Sequence, residues 1–367
     1  MNGMNQDNRN SVYRILDASA NRAGEGLRTM EEIARFVLDD SELTSEFKSQ
    51  RHGLASALKL LSRDSLLRAR NTGDDVGTEI TGEGEYKRTG LADVVAAAAA
   101  RTQQSFRVLE EYVKTIEPTI SADLEQIRYR CYTATAALEL RVAKSRESER
   151  LRSSTLYVLL SCGDSHSSFQ AKVEELFAGA VDVVQLRDRS ADDRTLITRA
   201  RAGTEIARRL GKLFIINDRA DLALAADTDG VHVGQEELPV ADARRIVGNR
   251  IVGVSTHSIQ QARDAVQEGA DYIGCGPVFS SHTKCFAESQ FVGTEFLSQV
   301  VAELQIPAFA IGGIDLTNLD KVIRSGMHRI AVTGAIRDAD DPVGVARQLK
   351  LVLNEAAVRA ARSERPH

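Results

Sequence analysis

The second half of the chain alternates short β-rich runs with helical segments, and this alternation restricts the fold more than any other feature. From Leu156 onward the runs are LYVLLS, VVQLR, LFIIN, GVHVG, IVGVS, YIGCG, AFAIGG and RIAVTG. Helical stretches such as SIQQARDAVQEGA separate them. Eight β/α units in about 200 residues predict a closed (β/α)8 barrel. A doubly wound open sheet is the competing fold, but SCGDSH, after the first run, lacks the glycine spacing of such sheets.

The first half shows the spacing of amphipathic helices. Apolar residues recur at intervals of three and four, as in Leu27, Met30 and Ile33. RAGEGLRTMEEIARF, from Arg22, matches RTQQSFRVLEEYVKT, from Arg101: each has a second Arg six positions later and then a Glu-Glu pair. Two related helices packed as a pseudo-symmetric pair would explain the repeat. We therefore predict an all-α domain over residues 1–150 and the barrel over residues 151–367, an α/β protein overall.

Composition limits the partners and the compartment. The 367 residues are 43% hydrophobic and 27% charged, enough for a core in each half. A net charge of −5 argues against a general nucleic-acid binder, and MNGMNQDNRN lacks the apolar core of a signal peptide. No run approaches the length of a membrane span. The four cysteines form no CxxC pair, which favours reduced thiols. We expect a cytoplasmic protein with no nucleic-acid or membrane partner, and a homo-oligomer stays open.

The second run ends in an unusual group of polar residues, VVQLRDRS. Side chains of a strand alternate, so Gln185, Arg187 and Arg189 share one side if the extended conformation continues. Burying two guanidinium groups without a partner would cost several kcal/mol per charge. We therefore expect an anion, or solvent, at this end of the strand.

The other strand ends add cations, hydroxyls and carboxylates at the rim where barrel active sites form. Arg187, Arg189 and Lys284 suit a polyphosphate. Asp218 with Glu236 or Glu237 predicts Mg²⁺, which takes one or two carboxylates plus phosphate oxygens. The glycines after the seventh and eighth runs, Gly312, Gly313 and Gly334, fit a separate phosphate pocket of backbone N–H groups. The other candidates in this region are Asn217 after the third run, Ser255 after the fifth, and Ser281 and Thr283 after the sixth.

Each of these residues also has a structural interpretation. An arginine at a strand end often forms a salt bridge at the rim, and Asp218 could cap the helix that follows it. Their occurrence together at one rim favours the functional interpretation, because independent structural causes explain it poorly.

Residues from about 156 to 353 resemble the thiamine-phosphate synthases. The resemblance runs through QLRDRS, INDRADLALAADTDGVHVGQEEL, GVSTH, GADYIGCGPVFSSHTK and AIGGI, in this order. It implies a barrel enzyme that joins 4-amino-2-methyl-5-hydroxymethylpyrimidine diphosphate to 4-methyl-5-(2-hydroxyethyl)thiazole phosphate, giving thiamine phosphate and pyrophosphate. The aminopyrimidine allows pyrophosphate to leave first. The thiazole nitrogen would then attack a resonance-stabilised pyrimidine cation.

The resemblance also implies roles for single residues. Gln185 would hold the aminopyrimidine, and Asp218 and Glu237 would hold Mg²⁺. Ser255 would lie beside the diphosphate, near the reacting carbon. The diphosphate would bind Arg187, Arg189, Asn217 and Lys284, and the thiazole phosphate would bind Ser281, Thr283 and backbone groups of Gly313, Thr333 and Gly334. The predicted catalytic residues among them are Arg187, Lys284 and Ser255.

The sequence departs from the family at two of these positions. GQEE places Glu237 where Asp is common, and a longer carboxylate can still reach Mg²⁺, directly or through water. Arg189 stands where Lys is frequent, which keeps the charge but changes the donor geometry.

Other functions fit parts of the barrel. A non-catalytic relative would bind thiazole phosphate as a regulator or a tautomerase, without needing to hold a diphosphate. A phosphosugar isomerase would need a general acid/base pair and no metal. The presence of Arg187, Asp218 and Lys284 together favours the synthase.

Residues 1 to about 150 resemble a domain fused to such synthases in some bacteria, for which a role in pyrimidine phosphorylation has been suggested. The stretch contains no P-loop or nucleotide fingerprint. Asn21, Arg22, Arg28, Arg101 and Arg107 could line a phosphate site, and ion pairing between helices is the competing interpretation. A dimerisation module is a further alternative for this half.

Overall fold

The structure, a computed structural model, describes residues 6–73, 75, 88, 90–280 and 291–363, the last four of these by their backbone alone. The chain divides into two compact units, Met1–Ser145 and Arg146–His367. None of the described helices has both the length and the apolar character needed to cross a membrane.

The first unit is helical. Its main pair is the first and fourth helices, which pack along each other. The contact buries apolar residues spaced by three and four, such as Leu27 and Met30 on one helix and Phe106 and Leu109 on the other. The helices are α1 (Gln6–Phe36), α2 (Ser41–Leu58), α3 (Arg63–Ala69), α4 (Leu91–Val113), a 3-10 turn (Pro118–Ile120) and α5 (Ser121–Ser153), whose last residues belong to the second unit.

The repeated Arg/Glu-Glu motif buries one glutamate in each copy. Glu31 on α1 accepts hydrogen bonds from Arg28 and, at 2.9 Å, from Arg51 Nε on α2. Glu110 on α4 accepts from Arg107 and, at 2.8 Å, from Arg128 Nε on α5. Each copy therefore joins its own helix to the helix that follows, so the repeat has a structural role in both hairpins.

The second unit is a closed barrel of eight parallel strands, each paired with its neighbours in chain order and the last with the first. The predicted (β/α)8 barrel after a helical domain is confirmed. The strands are β1 (Leu156–Leu160), β2 (Val183–Leu186), β3 (Leu213–Asn217), β4 (Gly230–Val233), β5 (Ile251–Thr256), β6 (Tyr272–Cys275), β7 (Ala308–Ile311) and β8 (Ile330–Val332).

Helices surround this sheet and cover its outer face. They are α6 (His166–Ala178), α7 (Asp193–Leu210), α8 (Ala220–Ala225), α9 (Val240–Val247), α10 (Ile259–Gln267), α11 (Gly293–Glu303), α12 (Leu319–Arg324), α13 (Gly334–Arg337) and α14 (Pro342–Ser363). Their apolar faces pack on outward residues such as Val158, Val184 and Ile216. Side chains alternate along each strand, so the neighbours of these residues point into the barrel.

The barrel interior is filled by a small cluster with an aromatic centre. Phe309 packs edge-on against Tyr157 and Tyr272, with ring centroids 5.4 and 5.7 Å away. Leu151, from the end of α5, belongs to the same cluster. Gly253 leaves room for this packing, because a Cβ there would lie 2.1 Å from Tyr272 Cζ.

We predict that Gly253→Ala loosens the barrel. Tyr272 is fully buried and cannot move aside, so the added methyl group should destabilise the interior by about 1–3 kcal/mol. Amide hydrogen exchange in β5 and β6 should therefore become about tenfold faster or more. Gly274→Ala is the matched control, because its Cβ would meet His232 at an ordinary 3.5 Å. If the exchange rates of Gly253→Ala equal those of the wild type, the interior can rearrange around the methyl group and the prediction is wrong.

Candidate active site

The side chains of β2 that face the barrel interior form an inner row, which continues from Gln185 to Arg187 just beyond the end of the strand. Gln185 is buried, and its Nε2 donates a hydrogen bond to Tyr157 Oη at 2.9 Å. Its Oε1 is buried too, and no described residue donates to it. A buried acceptor without a donor costs free energy. This atom is therefore suited to a ligand that brings its own N–H group.

A chain of hydrogen bonds crosses the interior from Gln185 to Ser255. Tyr157 Oη lies 2.9 Å from Tyr272 Oη. Tyr272 Oη lies 2.9 Å from His232 Nδ1, and His232 Nε2 lies 3.0 Å from Ser255 Oγ. The chain links two predicted site residues through three side chains that the sequence did not single out for a role in the site. Their only signal was alternation, which points Tyr157, His232 and Tyr272 inward.

His232 is neutral in this environment. Burial, and then the positive charge of Arg187, lowers the pKa of His232 to about 4. Burial also raises the pKa values of Tyr157 and Tyr272. All members of the chain are therefore uncharged near pH 7. With both ring nitrogens of His232 engaged, the imidazole serves to orient Ser255 rather than to carry a proton.

Arg187 brings a positive charge to the opening of the barrel. Its side chain is partly buried, and burial and the nearby Arg189 lower its pKa, while Asp218 and Glu237 act in the opposite direction. An arginine stays protonated in spite of such a shift. Within the described residues, no carboxylate forms an ion pair with this guanidinium. Arg187 is therefore available for an anion.

Asp218 and Glu237 form a carboxylate pair close to Arg189. Arg189 Nη2 lies 2.9 Å from Glu237 Oε1 and 3.6 Å from Asp218 Oδ2. Burial and then the charge of Glu237 raise the pKa of Asp218, and Arg189 and Arg187 partly offset the rise. Both carboxylates are mostly shielded, with 22% and 25% of their side chains exposed. Glu237, not Glu236, is thus the partner of Asp218.

The carboxylate pair fits a divalent cation that phosphate completes. The described residues include no group of three or more His, Cys, Asp or Glu side chains that could hold a metal. Mg²⁺ needs no such cage, because it binds one or two carboxylates together with substrate phosphates. Burial and then the charge of Glu237 raise the pKa of Asp218, and a nearby cation would favour its ionised form.

Asn217 and Asp218 occupy the end of β3. The neighbouring Asn217 side chain favours the ionised form of Asp218 and so lowers its pKa. Asp218 has a positive φ of 61°, which Asp tolerates better than most residues. Its N–H donates to His232 O at 2.7 Å. This backbone bond sets the carboxylate beside the fourth strand.

The remaining predicted site residues that the structure describes follow β7 and β8. Gly313 has φ 62°, and a Cβ there would lie 2.2 Å from Ser280 O, so only glycine allows this approach of the loop after β6. Thr333 follows β8 and precedes α13, which begins at Gly334. Ser281, Thr283 and Lys284 lie outside the described residues.

Comparison with protein families separates the two halves of the chain. A family model described as Thiamine monophosphate synthase matches residues 156–336. A second model, the ThiD2 family, matches residues 14–137. The two matches fall on the barrel and on the helical unit.

Individual relatives match both halves at once. A thiamine-phosphate synthase of Rhodopirellula baltica is 48% identical over 356 residues, which cover 95% of this chain and 94% of the relative. One from Synechocystis sp. is 41% identical over 347 residues, covering 94% and 97%. The structure of a thiamine phosphate pyrophosphorylase from Pyrococcus furiosus matches with 32% identity and a TM-score of 0.51, over 57% of this chain and 98% of that chain.

These matches confirm the resemblance seen in the motifs and the predicted enzyme class, a transferase of thiamine biosynthesis. The long alignments extend through the helical unit as well as the barrel. The barrel fold, the family model that matches it and the high identity of these relatives lead to one conclusion: the chain belongs to the thiamine-phosphate synthase family.

Proposed function

We propose that the barrel joins the pyrimidine diphosphate to the thiazole phosphate by a dissociative route, with the pyrimidine held on the inner row of β2. The main observation in support is that two neighbouring polar groups on this side of β2, a buried hydrogen-bond acceptor and a positive charge, both lack a partner within the described residues. Among the described residues, Gln185 Oε1 is a buried acceptor without a hydrogen-bond donor, and Arg187 forms no ion pair with a carboxylate. An aminopyrimidine supplies N–H groups to the first, and its diphosphate supplies negative charge to the second.

The separation of these two groups suits such a substrate. Residues two apart on a strand are about 6.6 Å apart along it, roughly the length of a pyrimidine ring with its methylene group. The reacting carbon would then lie between Gln185 and Arg187, close to the depth of Ser255. Because His232 orients the Ser255 hydroxyl, that hydroxyl can donate a hydrogen bond to the diphosphate.

Pyrophosphate departure is the step that the charges assist. The carbon–oxygen bond breaks, its electron pair leaves with the pyrophosphate, and the ring amino group stabilises the remaining cation. Arg187, Asn217 and, from the sequence, Lys284 would hold the leaving group. Arg189 pairs with the Glu237 carboxylate in this structure, and its guanidinium would be free to contact the diphosphate if a cation took its place there.

Magnesium is the proposed cofactor, and Asp218 and Glu237 are its proposed ligands. When bound, it neutralises charge on the departing diphosphate. The protein would hold the two carboxylates ready: the Asp218 backbone is fixed to His232 O, and Arg189 orients the Glu237 carboxylate.

The second bond forms without a protein base. The thiazole nitrogen attacks the methylene carbon with its lone pair and becomes a thiazolium, so no proton has to leave. This agrees with an interior in which His232 is neutral and both of its nitrogens are occupied. The thiazole phosphate would sit at the backbone groups of Gly313, Thr333 and Gly334, with Ser281 and Thr283 as proposed partners.

The leaving-group role predicts that Arg187→Gln lowers turnover by about 10²–10³, because one charge near the departing diphosphate is lost. Thiamine phosphate and pyrophosphate would be measured with both ready-made precursors and Mg²⁺. Lys284→Ala should have a similar effect. Arg194→Gln, an exposed arginine on α7, is the matched control and should be as active as the wild type. Near-normal turnover in Arg187→Gln would remove this residue from the mechanism.

The metal assignment predicts different results for the two carboxylates. Asp218→Asn should abolish Mg²⁺-dependent turnover, since a neutral amide is a poorer ligand for a hard cation. Glu237→Asp should remain active because Asp is common there in the family. Initial rates over a Mg²⁺ titration measure both effects, and Glu236→Gln serves as the control. An active Asp218→Asn beside an inactive Glu237→Asp would place the metal elsewhere.

The structural role of His232 predicts that its imidazole stays neutral between about pH 8 and pH 5 in the folded protein, because its pKa is about 4. The ¹⁵N shifts of the ring report the protonation state directly, and His232→Asn identifies the signal. The urea-unfolded chain is the reference, where histidine titrates near ~6.5. Titration of the folded His232 signal near that value would make the residue a candidate general acid instead.

A further inference from the structure

A second cavity lies in the helical unit, between α1 and α4. It has a volume of about 310 Å³. That volume is at the low end of the range for small-molecule sites. Its lining is polar apart from one valine. The residues are Ser19 and Arg22 from α1, and Arg101, Gln104, Ser105 and Val108 from α4.

The two arginines occupy the same position in the internal repeat. Arg22 opens the first copy, and Arg101 opens the second, each six residues before the next arginine of its copy. Since α1 and α4 pack along each other, the two copies bring this position to one cavity from opposite sides. The cavity therefore lies where the pseudo-symmetric helices meet, and it receives one guanidinium from each.

The two arginine positions of the repeat differ in how their charge is balanced. Arg28 and Arg107, the later arginines, both form ion pairs with glutamates of their own helix. Arg22 and Arg101 form no ion pair with any described carboxylate, and Arg101 Nε donates only to the backbone O of Ala97, at 3.2 Å. Ion pairing thus explains Arg28 and Arg107. The charges of Arg22 and Arg101, which face the cavity, are not balanced by any described carboxylate.

The hydroxyls of the cavity are also unsatisfied within the described part of the chain. Ser19 and Ser105 are 4% and 6% exposed. Neither side chain has a hydrogen-bond partner among the residues that the structure describes. The residues are buried as a whole, but their hydroxyl oxygens are open to the cavity, where a bound molecule can be their hydrogen-bond partner. Two guanidinium groups, two hydroxyls and the Gln104 amide together form a set of donors for one anion.

We propose that this cavity binds a small phosphate monoester. Two arginines offer fork-shaped donors that match phosphate oxygens and carry the two charges that a phosphate dianion needs. A tetrahedral group can accept from both sides, as the pseudo-symmetric arginines require. Val108 provides apolar surface for the organic part of the ester. This site shares no residue with the barrel site, so its occupancy is independent of the synthase assignment.

The test is calorimetric titration of the full-length protein with inorganic phosphate and with phenyl phosphate. Arg22→Gln combined with Arg101→Gln should remove one binding site or weaken it at least about tenfold, since charged hydrogen bonds are lost from both sides. Phenyl phosphate should bind more tightly than inorganic phosphate. The barrel sites stay intact, so thiamine phosphate synthesis by the double variant should equal that of the wild type.

The matched control removes the same amount of charge from the helical unit, at two arginines of α1 that lie outside the cavity. Arg9→Gln combined with Arg35→Gln should bind both probes as the wild type does. Equal binding by the wild type and the cavity variant, or equal loss in the control variant, would overturn the proposal. No preference for phenyl phosphate would overturn the assignment of an ester. If the cavity variant loses helical circular dichroism, Ser105→Ala carries the test, with an expected loss of several-fold in affinity.

Discussion

Closure of the parallel sheet is the constraint on which the rest of the barrel depends. Because side chains alternate along every strand, closure places half of them in one small interior. At its centre Phe309 packs edge-on against Tyr157 and Tyr272, whose rings are tilted to each other, and the three rings fill the space. Above this layer the interior has to become polar, since the strands end and the backbone turns outward. The hydrogen-bonded chain from Gln185 to Ser255 begins on the hydroxyls of the same tyrosines, so one layer supports the fold and orients the site.

The buried glutamates of the helical unit and the charged groups at the barrel opening differ in how completely they are paired. In the helical unit, Glu31 and Glu110 are buried and fully paired, which makes them part of the framework. At the barrel opening the pairing is incomplete. Within the described residues, no carboxylate forms an ion pair with Arg187. Asp218 and Glu237 repel each other beside Arg189. Uncompensated charge of this kind is unfavourable, and a ligand that brings the missing charges would relieve it. This is the electrostatic basis of the proposed diphosphate and magnesium site.

A neutral interior agrees with the proposed dissociative route. In that route the nucleophile loses no proton when the two rings join, so no catalytic base is needed. His232 illustrates the difference between a residue type and its function. In a barrel interior beside Arg187 its pKa falls to about 4, and it becomes a fixed link between Tyr272 and Ser255. Histidine in an active site is therefore insufficient evidence for acid–base catalysis.

The sequence by itself determined the fold and the family of this protein. Eight β-rich runs with helical intervals specify a barrel, because local periodicity and turn spacing are properties of neighbouring residues. The Gln185–Arg187 row and the carboxylates after β3 and β4 could be predicted for the same reason, since each lies at the end of a recognisable strand. Long motifs then identified the family.

Only the tertiary structure decided which residues touch across strands and helices. No local pattern connects Tyr157, His232, Tyr272 and Ser255, because they come from four different strands and meet only when the sheet closes. The resemblance had already named Glu237 as the partner of Asp218, but the contact of Glu237 with Arg189 is visible only in the structure. The repeat in the helical half was visible in the sequence, but the sequence could not distinguish paired from unpaired arginines. That distinction depends on distances between α1, α2, α4 and α5, which are set by packing of apolar faces and not by the order of residues along the chain.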